Sequence, residues 1–132
     1  MIVVDASVVS SLLLDDGDWG DQLRARIRGE ELHAPHLIDL EVLSVFRGAL
    51  RSRMADLRRV EEALDDLVVL PIRRSAHTLL LGRIHELRNS VTPYDAAYVA
   101  LAEFLGVSLL TADARLSRAQ GPTCPVELLT ES

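Results

Sequence analysis

The feature that most constrains this chain is the regular alternation of short β-branched runs with longer stretches of helical periodicity. "MIVVD" (1–5) reads as a buried strand, and "ASVVSSLLL" (6–14) continues it as a helix. A second helix spans 18–29 and is closed by Gly29, followed by the strand "ELHAP" (31–35). The spacing of leucine and valine predicts helices over 36–53 and 55–67. "VVLPI" (68–72) reads as a strand near a sheet edge, because Pro71 has no N–H for a ladder bond. Helices at 75–89 and 92–106, a strand at 107–111, a short helix at 112–120 and a strand at 126–130 complete the order. The first and fourth strands are almost wholly apolar. That pattern predicts an α/β fold: a mostly parallel central sheet flanked by helices on both faces. The 132 residues, 48% of them hydrophobic, fit one domain over 1–132, and no repeat, linker or low-complexity tract divides it.

Charge and residue usage exclude several classes. A net charge of -6 argues against a protein that coats nucleic acid by bulk attraction, while leaving room for a local basic surface. All 14 basic residues are arginine. Every lysine-dependent mechanism is thereby removed, including the phosphate loop of "GxxxxGK" type. Arginine suits phosphate, since its planar fork bonds two oxygens at once. The single cysteine, Cys124, permits no internal disulfide and fits a reducing cytoplasm. The apolar start has no basic leader, is interrupted by Asp5 and ends in "DDGD", so neither a signal peptide nor a membrane span is expected.

Within this pattern, acids recur in similar places. In open α/β sheets ligands bind beyond the carboxyl ends of the strands. Asp5 ends the first strand and Asp113 follows the strand "VSLLT". Glu41 lies in the second turn of the helix after Pro35, and Asp95 in the first turn after Pro93. Each has a structural explanation of its own. Asp5 and Asp113 fit helix caps, and Thr92-Pro93-Tyr94-Asp95 fits a capping box. Glu41 fits a boundary position between the arginine face and the apolar face of its helix. Their joint placement favours a site, because parallel strands carry several of them to one rim. Four clustered carboxylates raise one another's pKa, a conflict that a hard divalent cation removes. Mg²⁺ prefers oxygen ligands, and Mn²⁺ suits the same set. The four histidines, His33, His36, His77 and His85, form no close ligand pair with the acids, and no base completes a triad with Ser7 or Ser10.

"MIVVDASVV", "APHLIDLEVLSVFR", "TPYDAAYVALAEFLG" and "LLTADARL" resemble, in order, the successive motifs of PIN-domain ribonucleases, above all the VapC-type toxins of VapBC toxin–antitoxin pairs. The resemblance covers nearly the whole chain. It implies a shared acidic pocket of Asp5, Glu41, Asp95 and Asp113, with Asp5 and Asp95 holding the metal most directly. Ser7 and Thr111 match the family's small polar neighbours that bond a carboxylate or a water. The implied reaction is metal-dependent hydrolysis of an RNA phosphodiester bond. The metal lowers the pKa of a bound water and neutralises charge on the phosphate, and the products end in a 5′-phosphate and a 3′-hydroxyl. The implied partners are a VapB-type antitoxin that lies across the groove, the RNA substrate and a second copy of the chain.

Arg47, Arg51, Arg53, Arg58 and Arg59 form a basic strip beside the Glu41 helix, suited to an RNA backbone or to solvent. Aromatics make up 4% of residues, so stacking of several bases is not the expected grip. Tyr94 and Tyr98 read as core, Trp19 as core or dimer surface, Asp15, Asp16 and Asp18 as a solvated loop, and Asp39 as a dipole-favoured helix start outside the site. The four histidines are expected to play structural or solvent roles. Alternatives are a housekeeping RNA-processing nuclease of the same fold, a PIN-fold binding protein, and a receiver-like Mg²⁺ domain. The last relies on a lysine that this chain lacks.

Overall fold

Ile2, Val3 and Val4 form β1 (Ile2–Val4), and all three are buried. Neighbouring side chains of a strand point to opposite faces, so both faces of β1 are covered. The computed structural model describes residues 1–131. β1 is the centre of a five-stranded sheet of order β3-β2-β1-β4-β5, built with β2 (Leu32–Pro35), β3 (Ile72–Ser75), β4 (Leu109–Thr111) and β5 (Val126–Leu128). Every pairing is parallel, as the alternation predicts. The chain moves outward from β1 through β2 to β3, then returns to the other side of β1 for β4 and β5. The sheet therefore changes direction between β1 and β4, which is where open α/β sheets bind ligands.

The crossovers are α1 (Ala6–Leu14), α2 (Asp18–Ile27), α3 (Ile38–Arg51), α4 (Leu57–Val69), α5 (Leu81–Glu86), α6 (Pro93–Leu105) and α7 (Ala114–Ser117), with a 3-10 turn over Thr78–Leu80. α6 is apolar all round: Ala96 to Ala102 are all buried, and the helix lies against β1, β2 and β4. Its ends are written in the sequence. Pro93 takes the first helical position, and Gly106 closes the helix at φ 70, a left-handed conformation that glycine adopts without strain. Each fully buried Val, Leu or Phe of the core contributes about 1.5–3 kcal/mol.

Three sequence expectations are corrected. "VVLPI" is not a strand: Val68 and Val69 are exposed and finish α4, and the strand begins only after Pro71. β3 is nevertheless the edge strand. The helix expected over 75–89 is a 3-10 turn followed by the short α5, because Ser75 is still paired to Pro35 in the sheet. The "DDGD" segment is not simply a solvated loop. Asp15 Oδ1 accepts the N–H groups of Gly17 and Gly20 at 2.8 and 3.1 Å, and Asp16 pairs with Arg59. A Cβ at Gly20 would lie 2.0 Å from the Asp15 carbonyl oxygen, so that turn requires glycine.

Candidate active site

Asp5 leaves the end of β1 and caps α1, its Oδ1 accepting the Val8 N–H at 3.2 Å. It is 5% exposed. Two hydroxyls serve it: Ser7 Oγ donates to Oδ1 and Thr111 Oγ1 donates to Oδ2, each at 2.5 Å. Thr111 ends β4, the strand beside β1, and is fully buried. Both hydroxyls are themselves held, Ser7 Oγ by the Ala112 N–H and Thr111 Oγ1 by the Asp113 N–H, each at 3.0 Å. Burial pushes the Asp5 carboxyl above its ordinary value against these hydrogen bonds, and the nearby Asp95 charge adds to the rise.

Asp95 stands in the first turn of α6. The capping box is only half formed. Thr92 Oγ1 accepts the Asp95 N–H at 3.2 Å, with no return bond from the Asp95 carboxylate to the Thr92 N–H, so the acid is left for the site. Desolvation raises its pKa, as does Asp113, while Arg115 works the other way. Glu41, on α3, has its carboxylate pinned by the Tyr98 hydroxyl, which donates to Oε1 at 2.6 Å. Burial raises the Glu41 pKa, and the charges of Asp95 and Asp5 raise it further. Asp113 caps α7 through the Arg115 N–H at 2.9 Å. The cap and the site are thus not alternatives for Asp5 or Asp113; each carboxylate does both.

The charge of Asp95 raises the pKa of Asp5, the charges of Asp95 and Asp5 raise that of Glu41, and Asp113 raises that of Asp95, so the four predicted acids lie in one electrostatic neighbourhood. Ser7 and Thr111 belong to the same network. Two contributors escaped the sequence reading. Tyr98 looked like core and is 1% exposed, yet its hydroxyl reaches Glu41. Its position three residues after Asp95, one helical turn along the same face, was the available signal. Arg115 Nη2 lies 3.2 Å from Asp113 Oδ2 and 3.7 Å from Asp95 Oδ2.

Other expectations resolve away from the site. Tyr94 is not core but 63% exposed. Asp39, kept outside the site, is bound by the Arg74 fork at 2.8–3.0 Å. Arg59 leaves the basic strip, held by Asp16 and by the Leu13 carbonyl, and Arg58 lies 3.5 Å from Glu62. Arg47, Arg51 and Arg53 stay exposed. Trp19 is half-buried against the core, and His33 is buried in β2 with its Nε2 3.7 Å from Glu31.

The donor set is all oxygen. Among the described residues no group of three or more His, Cys, Asp or Glu side chains is arranged to hold a metal ion. Mg²⁺ fits such a site, since it keeps several waters and takes one or two carboxylates. The charge of Asp95 raises the pKa of Asp5 and of Glu41, a repulsion that a divalent ion held by oxygen ligands would relieve.

The PIN domain family model matches residues 2–122. A VapC ribonuclease of Mycobacterium bovis is 45% identical over 132 residues, covering 98% of each chain. Ribonuclease VapC12 of Mycobacterium tuberculosis is 37% identical over 129 residues, covering 98% of this chain and 99% of its own. The crystal structure of VapBC2 from Rickettsia felis, bound to a DNA fragment from its promoter, superposes with a TM-score of 0.65 at 13% identity, over 96% of this chain and 98% of that one; it shares the fold. With a parallel sheet of this order, acids gathered at its switch point and relatives this similar along their whole length, the chain belongs to the PIN-domain family, among the VapC ribonucleases.

Proposed function

We propose that this protein is a metal-dependent endoribonuclease and the toxin of a VapBC-type toxin–antitoxin pair, acting in the cytoplasm as a single PIN domain over 1–132. The observation that carries the reading is the buried Asp5, held by the Ser7 and Thr111 hydroxyls where β1 meets β4 at the switch point of the sheet. Asp5 and Asp95 would hold Mg²⁺ or Mn²⁺, with Glu41 and Asp113 completing the pocket. Such an ion, when bound, makes a water acidic enough to attack near neutral pH and offsets charge on the phosphate. The protein's own groups position the reaction. Ser7 and Thr111 fix the Asp5 carboxylate, and Tyr98 fixes that of Glu41. Arg47, Arg51 and Arg53 are free to hold the RNA backbone at phosphates away from the cut.

A VapB-type antitoxin is the proposed partner, by the relationship to VapC proteins. Leu40 of α3 and Leu57 and Val68 of α4 are exposed and supply apolar anchors for that partner or for a homodimer. No helix among the described residues is long and apolar enough to cross a membrane. The test is cleavage of total RNA by the purified parent, Asp5→Asn and Asp95→Asn with Mg²⁺, Mn²⁺ or chelator, with the new ends sequenced. The parent should cut only with metal and leave 5′-phosphates, and both variants should stay folded and inert. Variants that cut like the parent would end the assignment.

A further inference from the structure

Asp95 also lines a hollow of about 400 Å³, together with Arg88, Val91, Pro93, Arg115 and Ala119. Its volume lies in the range of small-ligand sites, roughly 300–1,000 Å³. Its walls divide by chemistry. Val91, Pro93 and Ala119 are apolar, Asp95 belongs to the acidic cluster, and two arginines flank the opening. Among the described residues Arg88 makes no ion pair within 4 Å, and its guanidinium donates to the His85 carbonyl at 3.0 Å. Arg115 is held between Asp113 and Asp95 at 3.2 and 3.7 Å, yet its side chain is 75% exposed. An exposed ion pair of that kind is weakly held and readily exchanged.

We propose that this hollow seats the nucleotide adjoining the scissile phosphate, and that Arg115 exchanges its Asp95–Asp113 partners for the phosphate of that nucleotide when RNA enters. The inference rests on the nuclease reading of the acidic cluster and adds a subsite to it. The apolar wall offers a base or sugar a surface to lie on. The two arginines offer forks that match phosphate oxygens. Arg115 has two uses because the same guanidinium can satisfy the carboxylates of Asp95 and Asp113 or a phosphate placed beside them. Its release leaves Asp95 and Asp113 free for a cation. Arg115 is thus a positioning residue for the substrate and a competitor of the metal.

Four proteins test this: the parent, Arg88→Ala, Arg115→Ala and Ala119→Trp, which fills the hollow. Binding of a short mixed-sequence single-stranded RNA is measured by anisotropy across a salt series, in the Asp5→Asn background so that the RNA survives. Mn²⁺ binding is measured by calorimetry without RNA. Cleavage ends are mapped with the Asp5 form of each protein, and circular dichroism and melting confirm folding. The expected results are a salt slope reduced by about 1 for each arginine variant, Mn²⁺ bound several-fold more tightly by Arg115→Ala, and displaced cut positions for Ala119→Trp. A folded Ala119→Trp with the parent's RNA affinity and cut sites overturns the subsite. An Arg115→Ala protein with unchanged salt slope and unchanged Mn²⁺ affinity overturns the exchange. A parent that cuts no RNA with any divalent ion sinks the nuclease reading and the subsite together, whereas a cutting parent alongside indifferent variants sinks the subsite alone.

Discussion

The hydroxyl of Tyr98 donates to Glu41 Oε1 at 2.6 Å, joining α6 to α3 across 57 positions of the chain. A tyrosine that fills the core at one end thus fixes an active-site carboxylate at the other. Tyr98→Phe keeps the packing and removes one donor. It should cost about 1.5–3 kcal/mol of stability, the range for hydrogen bonds to charged groups. Activity should fall about 10-fold, the scale at which losing a group that orients a site carboxylate is felt. Because the lost bond favours the charged form, the Glu41 pKa should rise further, and the acid limb of the pH–rate profile should move to higher pH. An unchanged profile with lowered stability would reduce Tyr98 to a packing role.

Thr111 is the second such device, a buried hydroxyl that donates to Asp5 and accepts from the Asp113 N–H. Thr111→Val preserves the shape and removes both bonds. We expect a loss of activity of at least about 10-fold, largely restored in Thr111→Ser, which returns the oxygen. Steady-state cleavage of one RNA by the three proteins decides it.

Asp5, Glu41 and Asp95 all have raised pKa values, from ordinary values of 3.8, 4.5 and 3.8. Each therefore stabilises the fold when protonated, and that stability is lost as pH rises through its raised value. Asp16, Glu30 and Glu127 behave oppositely. Arg59, the N-terminal ammonium and Arg26 lower their values, so their contribution disappears only as pH falls below the ordinary range. Between the ordinary carboxylate range and neutrality, the metal-free protein should lose stability as pH increases. Asp5→Asn should flatten that fall and melt no lower than the parent at pH 7. Urea unfolding in chelator at several pH values checks this, and a flat parent profile would contradict it.

A divalent ion should reverse the neutral-pH penalty. At 100 times its Kd, Mg²⁺ or Mn²⁺ should add about 2.7 kcal/mol to the parent. It should add little to Asp5→Asn or Asp95→Asn. Melting curves with and without metal give the comparison independently of catalysis.

Asp39 and Glu41 lie two residues apart on α3 and should separate cleanly on substitution. Asp39 accepts the Arg74 fork, and Arg74 also reaches the Leu67 carbonyl, tying α3 to β3 and to the end of α4. Asp39→Asn should lower stability by about 1–2 kcal/mol and leave the cleavage rate of the folded protein unaltered. Glu41→Gln should do the reverse. Parallel unfolding and cleavage measurements on the two variants provide the test.

Most of the strand–helix order and the parallel sheet were legible in the sequence, because each depends on local features: side-chain periodicity, a proline at a helix start, a glycine at a helix end. The same local reading failed at "VVLPI", where two β-branched residues serve equally well as the exposed end of α4. It also placed Tyr94 in the core, although Tyr94 begins α6 outside the packed segment from Ala96 to Ala102. What only the tertiary structure decided is which distant groups meet. Thr111 reaches Asp5 across 106 positions because β1 and β4 are adjacent in the sheet. Tyr98 meets Glu41 because α6 is packed against the centre of that sheet, and Arg115, on the α7 that follows β4, comes within reach of both Asp113 and Asp95. Periodicity fixes which face of an element is buried, but it carries no information about what that face will touch. That is settled when the strands pair and their helices pack.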